Sequence, residues 1–211
     1  MIAGKGQLLQ TGAVADFGRQ VCNRVGHEFD FFRGGESIGG RGSILCHGQR
    51  GQIPYGHERR SLVVAQEVEG AVVGAGTVMS AAARQAASEA GCQFAVSPGL
   101  IEGEGADGPL PLLPGVATAT ELMWGLRAGY THFKLFPADV LGGTALLKAF
   151  SGPFPQAIFC PTGGIDATNA RDYLALANVA CVGGSWVAPA DLVRAGDWGA
   201  ITALAAEAAR F

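Results

Sequence analysis

Only three lysines, Lys5, Lys134 and Lys148, occur among the 211 residues, and charged side chains make up just 16% of the chain, for a net charge of −3. So little charge, so nearly balanced, leaves no electrostatic footprint for a nucleic-acid partner or an anionic membrane surface. A small molecule is the expected partner. Cysteine is also sparse: Cys22, Cys46, Cys92, Cys160 and Cys181 are scattered, odd in number and free of any CxxC pair. That pattern argues against a disulfide framework and against a zinc site. No apolar run approaches the ~20 residues of a membrane-spanning helix, and the first residues lack the uninterrupted apolar core of a signal peptide. Reduced thiols in a cytoplasmic protein are the expectation.

What the chain does have is enough apolar content, 48% of its residues, to bury the core of one domain spanning 1–211. Its local grammar changes near Ala65. Residues 1–64 are rich in glycine and arginine, as in RGGESIGGRG and HGQRGQIPYGHERR, with little apolar periodicity. The runs at 43–46 and 62–65 are the best strand candidates there. His27, His47 and His57 show no ligand spacing and read as loop histidines. Acidic residues are interspersed among the arginines, which weighs against a nucleic-acid-binding arm.

Beyond residue 70 the pattern is regular. Short β-rich runs at 71–78, 93–98, 109–116, 131–138, 157–162 and 179–186 alternate with helical segments. Alanine-rich 81–90 stops at Gly91, as a helix with a glycine after its last turn should. Thr118 and Glu121 have capping-box spacing, Asp166 is a candidate N-cap for a helix reaching Leu176, and 198–209 forms a terminal helix. Alternating strands and helices imply a parallel sheet under a helical layer. Without a dinucleotide fingerprint, the pattern suits a (β/α)8 TIM barrel better than an open sheet, with the first two βα units poorly supported.

Two features carry chemistry. Lys134 sits inside the apolar, strand-like run THFKLFPAD, sharing a strand face with His132 and Phe136. Lysine is almost never buried without a partner or a task, and desolvation favours its neutral, nucleophilic amine. The competing reading is a lysine whose stem packs while its head reaches water. The second feature is a pair of glycine doublets, Gly163 with Gly164 and Gly183 with Gly184, after consecutive strands, with Ser185 adjoining. Bare N–H groups at such turns form anion-binding nests, and the loops after the last two strands are the usual phosphate site of a TIM barrel.

The segments GAGTV, FAVSPGL, LPGVATATELM, FKLFPAD, FCPTGGI and VGGSW, in that order, closely resemble the 2-keto-3-deoxy-6-phosphogluconate (KDPG) and 2-keto-4-hydroxyglutarate (KHG) aldolases. The resemblance runs from about Ala65 to the C-terminus. It implies a (β/α)8 barrel, usually a homotrimer, that needs no metal or other cofactor and cleaves the sugar acid phosphate to pyruvate and glyceraldehyde 3-phosphate, a step of the Entner–Doudoroff pathway. By resemblance Lys134 is the Schiff-base lysine, Thr77 and Pro98 line the pyruvate pocket, and Phe136 stands beside the imine. Thr162 matches a contact to the pyruvate carboxylate, and Gly163, Gly164, Gly184 and Ser185 match the phosphate loops.

The family's second strand, which reads like LEVTLRT and supplies a general-base glutamate and an arginine, has no counterpart here. The family's spacing points instead to CHGQRG near His47, while Glu36 and Glu58 lie outside any strand-like context. The residues 101–108, IEGEGADG, replace a helix of the family. Either a shifted coding frame upstream of about Ala65 or a variant pair of βα units accounts for the divergence. Three readings of function stand: a Schiff-base aldolase, acting on KDPG or on hydroxyglutarate or phosphogalactonate analogues; an impaired barrel that binds phosphate or keto acid without the base; and another phosphate-binding barrel enzyme such as an isomerase.

Overall fold

The structure, a computed structural model, describes the backbone at residues 2–4, 29–33, 42–47, 72–208 and 210–211, and side chains from residue 74 except 209. The expected strand at 62–65, and Glu36, Glu58, His27 and His57, lie outside the described residues.

From residue 72 the chain alternates as expected. The strands are β4 (Val72–Gly76), β5 (Phe94–Val96), β6 (Leu112–Leu113), β7 (Gly115–Val116), β8 (His132–Leu135), β9 (Ile158–Pro161) and β10 (Cys181–Gly183). Between and after them run α1 (Ala81–Glu89), α2 (Ala119–Arg127), α3 (Gly143–Ser151), α4 (Ala170–Leu174), α5 (Ala190–Ala195) and α6 (Trp198–Ala208). Ahead of them stand β1 (Ile2–Gly4), β2 (Phe29–Arg33) and β3 (Gly42–His47).

Neighbouring staves run parallel from β3 through β6 and again from β7 through β9. Parallel bridges Phe159↔Val179 and Thr162↔Gly183 join β9 to the β10 segment. The expected strand at 109–116 is split at Pro114, which has no N–H to give the ladder, into β6 beside β5 and β7 beside β8. This is the expected α/β barrel, with one difference at its closure. β2 runs antiparallel to β3, and β1 antiparallel to β10, with β1 lying against β2. Two antiparallel strands therefore complete the wall where the regular pattern calls for a parallel one.

Alternation along each strand sorts the side chains into two cores. Ala95, Leu112, Val116, Phe133, Leu135, Phe159 and Val182 face outward into the main core, where Leu122 of α2, Leu147 and Phe150 of α3 and Tyr173 of α4 meet them. Phe159 anchors this layer, its ring centroid 6.2 Å from that of Phe133 and 6.0 Å from that of Phe150. The inward residues form a smaller cluster in the barrel's interior: Val96 and Cys160, with Phe94, Leu113 and Cys181 packed on them.

Helix ends follow the capping signals. Ser80 Oγ accepts from Ala83 N at 3.1 Å to start α1, and Gly91, at φ 81, follows its last turn. Thr118 Oγ1 accepts from Glu121 N at 3.2 Å while the Glu121 carboxylate accepts from Thr118 N at 2.8 Å, so the expected capping box is present. The expected helix from Asp166 is shorter: α4 starts after Asn169, because Asp166 spends its carboxylate on the N–H groups of Thr168 and Asn169 in the preceding turn. A hydrogen bond from the Thr168 hydroxyl at 2.6 Å, and after it these backbone bonds, hold its pKa below the ordinary carboxylate value.

Residues 101–109 make no helix, as their glycines imply, and are held instead by one fully buried side chain. Arg84 of α1 donates to Leu110 O at 2.8 and 2.6 Å, to Gly105 O at 3.0 Å and to the Glu104 carboxylate at 2.7 Å. Tyr130 Oη donates to the same Gly105 carbonyl at 2.8 Å.

Candidate active site

Lys134 is the third residue of β8, only 7% exposed, with its backbone N–H donating to Pro114 O at 2.9 Å. In register it stands between Gly115 of β7 and Cys160 of β9. Its Nζ lies 4.5 Å from the centroid of the Phe136 ring, a cation–π distance when the amine is charged and an aromatic wall when it is neutral. Phe136 itself is 36% exposed, so the ring is at the opening of the barrel with the amine beneath it.

Every other expected site residue lies at the carboxyl ends of the staves, at the same end of the barrel as Phe136. Thr77 follows β4 directly and has φ 58, a left-handed conformation that a β-branched residue seldom adopts. Pro98 comes two residues after β5. Its carbonyl is where a Cβ on Gly115 would fall, so the glycine beside Lys134 lets the Pro98 turn settle against that strand. Sequence reasoning passed over Gly115 and Cys160. Both are in its motifs, LPGV and FCPT, yet only strand register reveals them as neighbours of Lys134.

The glycine loops are tied together by backbone bonds. Ala138 N donates to Thr162 O at 2.8 Å and Asp139 N to Gly163 O at 3.0 Å, fastening the turn after β8 to the turn after β9. Gly163 and Gly164 have φ 97 and 76, and a Cβ on Gly164 would strike the Asp139 side chain. Both demands require glycine. Gly184 and Ser185 follow β10, with Gly184 packed under the Trp186 ring and Ser185 exposed. The Asp139 carboxylate stands at the edge of these glycine loops, against Gly164. Behind it, burial, with a smaller contribution from Asp139, raises the Tyr173 phenol above its ordinary value.

The structure thus brings Lys134, Thr77, Pro98, Phe136, Thr162 and the loop glycines to one end of one barrel. It offers no carboxylate on β3, whose residues are Gly42, Ser43, Ile44, Leu45, Cys46 and His47. His47 ends that strand in register with Gly76, next to Thr77. Among the described residues, no three histidine, cysteine or acidic side chains are grouped to hold a metal ion, and no helix is long and apolar enough to cross a membrane.

The same architecture recurs in solved structures. A KDPG aldolase from Legionella pneumophila, with pyruvate captured as a covalent carbinolamine, superposes with a TM-score of 0.73 at 36% identity, over 93% of this chain and 88% of that one. The KDPG aldolase of Zymomonas mobilis with 3-phosphoglycerate gives 0.71 at 38% identity, over 97% and 88%. In sequence, the KHG/KDPG aldolase of Escherichia coli K12 is 52% identical over 148 residues, 69% of this chain and 70% of that protein. The 2-dehydro-3-deoxy-phosphogluconate aldolase of Dickeya dadantii is 52% identical over 149 residues, covering 69% and 70%. The family model described as KDPG and KHG aldolase matches residues 58–204. The chain belongs to the KDPG and KHG aldolase family.

Proposed function

We propose that the protein cleaves 2-keto-3-deoxy-6-phosphogluconate to pyruvate and glyceraldehyde 3-phosphate through a Schiff base on Lys134. The observation that carries this reading is the burial of Lys134 beneath Phe136, at the same barrel end as two glycine loops. The neutral amine attacks the C2 ketone, and loss of water gives an iminium. A base takes the proton from the C4 hydroxyl, the C3–C4 bond breaks, and its electron pair moves into the iminium to form an enamine. The aldehyde departs, the enamine is protonated at C3, and water releases pyruvate and the free lysine.

In this reading Thr162 contacts the pyruvate carboxylate, while Thr77 and Pro98 line its pocket. Gly163, Gly164, Gly184 and Ser185 hold the phosphate through N–H groups and a hydroxyl. Hydroxyglutarate, which differs beyond C4, and the phosphogalactonate analogue, which differs in configuration at C4, remain the alternative substrates. The whole chain, 1–211, acts as one barrel domain in the cytoplasm. As a homotrimer it would bury apolar side chains such as Met123 and Trp124, which α2 leaves 55% and 58% exposed.

The make-up of β3 favours a second reading beside the first, in which imine formation is intact but cleavage is slow. Loss of a general acid–base typically costs about 10²–10⁴-fold in rate. Intact-mass analysis after incubation with pyruvate and borohydride tests the shared step. A pyruvyl adduct on the wild type, absent from Lys134→Ala, is the expected result, and no adduct on folded protein would sink both readings. Cleavage turnover then separates them.

A further inference from the structure

Beside Thr162 stands one thiol, with a second behind it, that the proposed reaction does not use. Cys160, 3% exposed, lies on β9 two residues before Thr162, which follows the end of that strand, and is the register partner of Lys134. Its Sγ lies 3.8 Å from Thr162 Oγ1, within reach of a sulfur hydrogen bond. Cys181, on the adjoining β10, packs on Cys160 in the interior cluster. A hydrogen bond with Cys160 and, after it, burial push the Cys181 thiol well above its ordinary value, so it keeps its hydrogen at neutral pH. The far side of Thr162 is closed too, since a Cβ on Gly183 would be 2.6 Å from Thr162 Oγ1.

Counting hydrogens shows what such an enclosure does. A hydroxyl has one hydrogen to give and two lone pairs to receive. In this structure the Thr162 hydrogen goes to the carbonyl of Cys160 at 3.3 Å, a long bond that is easily given up. When a carboxylate arrives, that hydrogen turns to it. The lone pair facing Cys160 is then served by the Cys160 S–H, and the sulfur of Cys160 by the Cys181 S–H.

Resting on the imine chemistry proposed for Lys134, we infer that Cys181, Cys160 and Thr162 form a donor chain, thiol to thiol to hydroxyl, that aims the Thr162 hydrogen at the substrate carboxylate. Cys160 and Cys181 are positioning residues, since neither touches the substrate. A thiol suits the role because it is a weak donor: it fixes the direction of the hydroxyl without competing for the carboxylate. The register with Lys134 sets the height of the chain, so the carboxylate is held while C2 meets the amine.

The test is pyruvate trapping by the full chain at graded pyruvate, reading the half-saturating concentration and the limiting rate separately. Cys160→Ala is expected to raise half-saturation about 3–10-fold, the value of one ordinary hydrogen bond, with a nearly unchanged limiting rate. Cys160→Ser, which keeps a donor, should recover most of the loss, and Cys181→Ala should act more weakly in the same direction. On a Thr162→Ala background, Cys160→Ala should add nothing. Unchanged half-saturation in Cys160→Ala, or the same increment with and without the Thr162 hydroxyl, overturns the donor chain while leaving the imine reading intact. A wild type that forms no adduct overturns the imine reading, and the donor chain with it.

Discussion

Single residues in this barrel carry backbone costs that the proposed site would explain. Thr77 keeps a left-handed backbone at φ 58. That conformation costs a residue with a Cβ roughly 1–2 kcal/mol, and glycine almost nothing. Thr77→Gly should therefore leave the urea midpoint unchanged or raise it, while weakening pyruvate trapping because the pocket loses a side chain. Gly164 presents the opposite case. With φ 76 and the Asp139 side chain against its Cα, Gly164→Ala should cost about 1–3 kcal/mol of stability. In a turnover assay it should also weaken competition by inorganic phosphate, which would go unaffected if the loop were plain turn structure.

At the scale of elements, the Arg84 clamp stands in for a missing helix. Arg84→Met would leave the Leu110 carbonyl and the Glu104 carboxylate without the Arg84 donors and the Gly105 carbonyl with one donor fewer, and about 3 kcal/mol is expected from breaking a buried pair on one side. Denaturant titration would show it. Tyr130→Phe removes one bond to Gly105 and should cost about 1 kcal/mol at neutral pH. Its pH signature is distinct. Burial, opposed in part by Arg84, raises the Tyr130 phenol above its ordinary value of 10.0, so its contribution is whole below pH 10 and is lost as pH climbs through the raised value. Stability of the wild type should fall more steeply above pH 10 than that of Tyr130→Phe.

How much of these elements the sequence disclosed depended on how local the signal was. The strand runs at 131–138 and 157–162 are largely apolar because helices cover them outside, and each was readable from its own residues. α3 was not, since it opens on Gly142 and Gly143, both at positive φ, which read as breakers. α5 is a short helix behind Pro189, with too few residues to show a period. β1 and β2 escaped notice because their partners, β10 and β3, are identified only by the closed wall. The site divides in the same way. Lys134 and the glycine doublets announce themselves as types out of place, whereas Cys160 and Gly115 look like ordinary interior residues until register sets them beside the lysine.

For the whole molecule, the question is what the first 64 residues contribute. The match to the family begins at residue 58, while the structure uses residues 2–4, 29–33 and 42–47 to complete the wall. If a shifted coding frame produced this segment, another frame of the same DNA upstream of about Ala65 should encode a strand like LEVTLRT. Sequencing the gene and its neighbours checks this, and finding no such frame would leave the variant βα units as the explanation. Restoring that strand should raise cleavage by about 10²–10⁴-fold while leaving pyruvate trapping nearly unchanged.

The closing seam has one more consequence. Each stave from β3 to β10 adjoins the one that precedes it in the chain, so the wall can grow in order as residues emerge from the ribosome. Ile2, by contrast, finds its partner only at Gly183. A nascent chain must therefore hold β1 without its partner strand until synthesis is almost finished, and closing so long a loop is a slow step. During that wait the barrel is an open sheet with both margins bare, the stage at which a crowded cell has most opportunity to divert it.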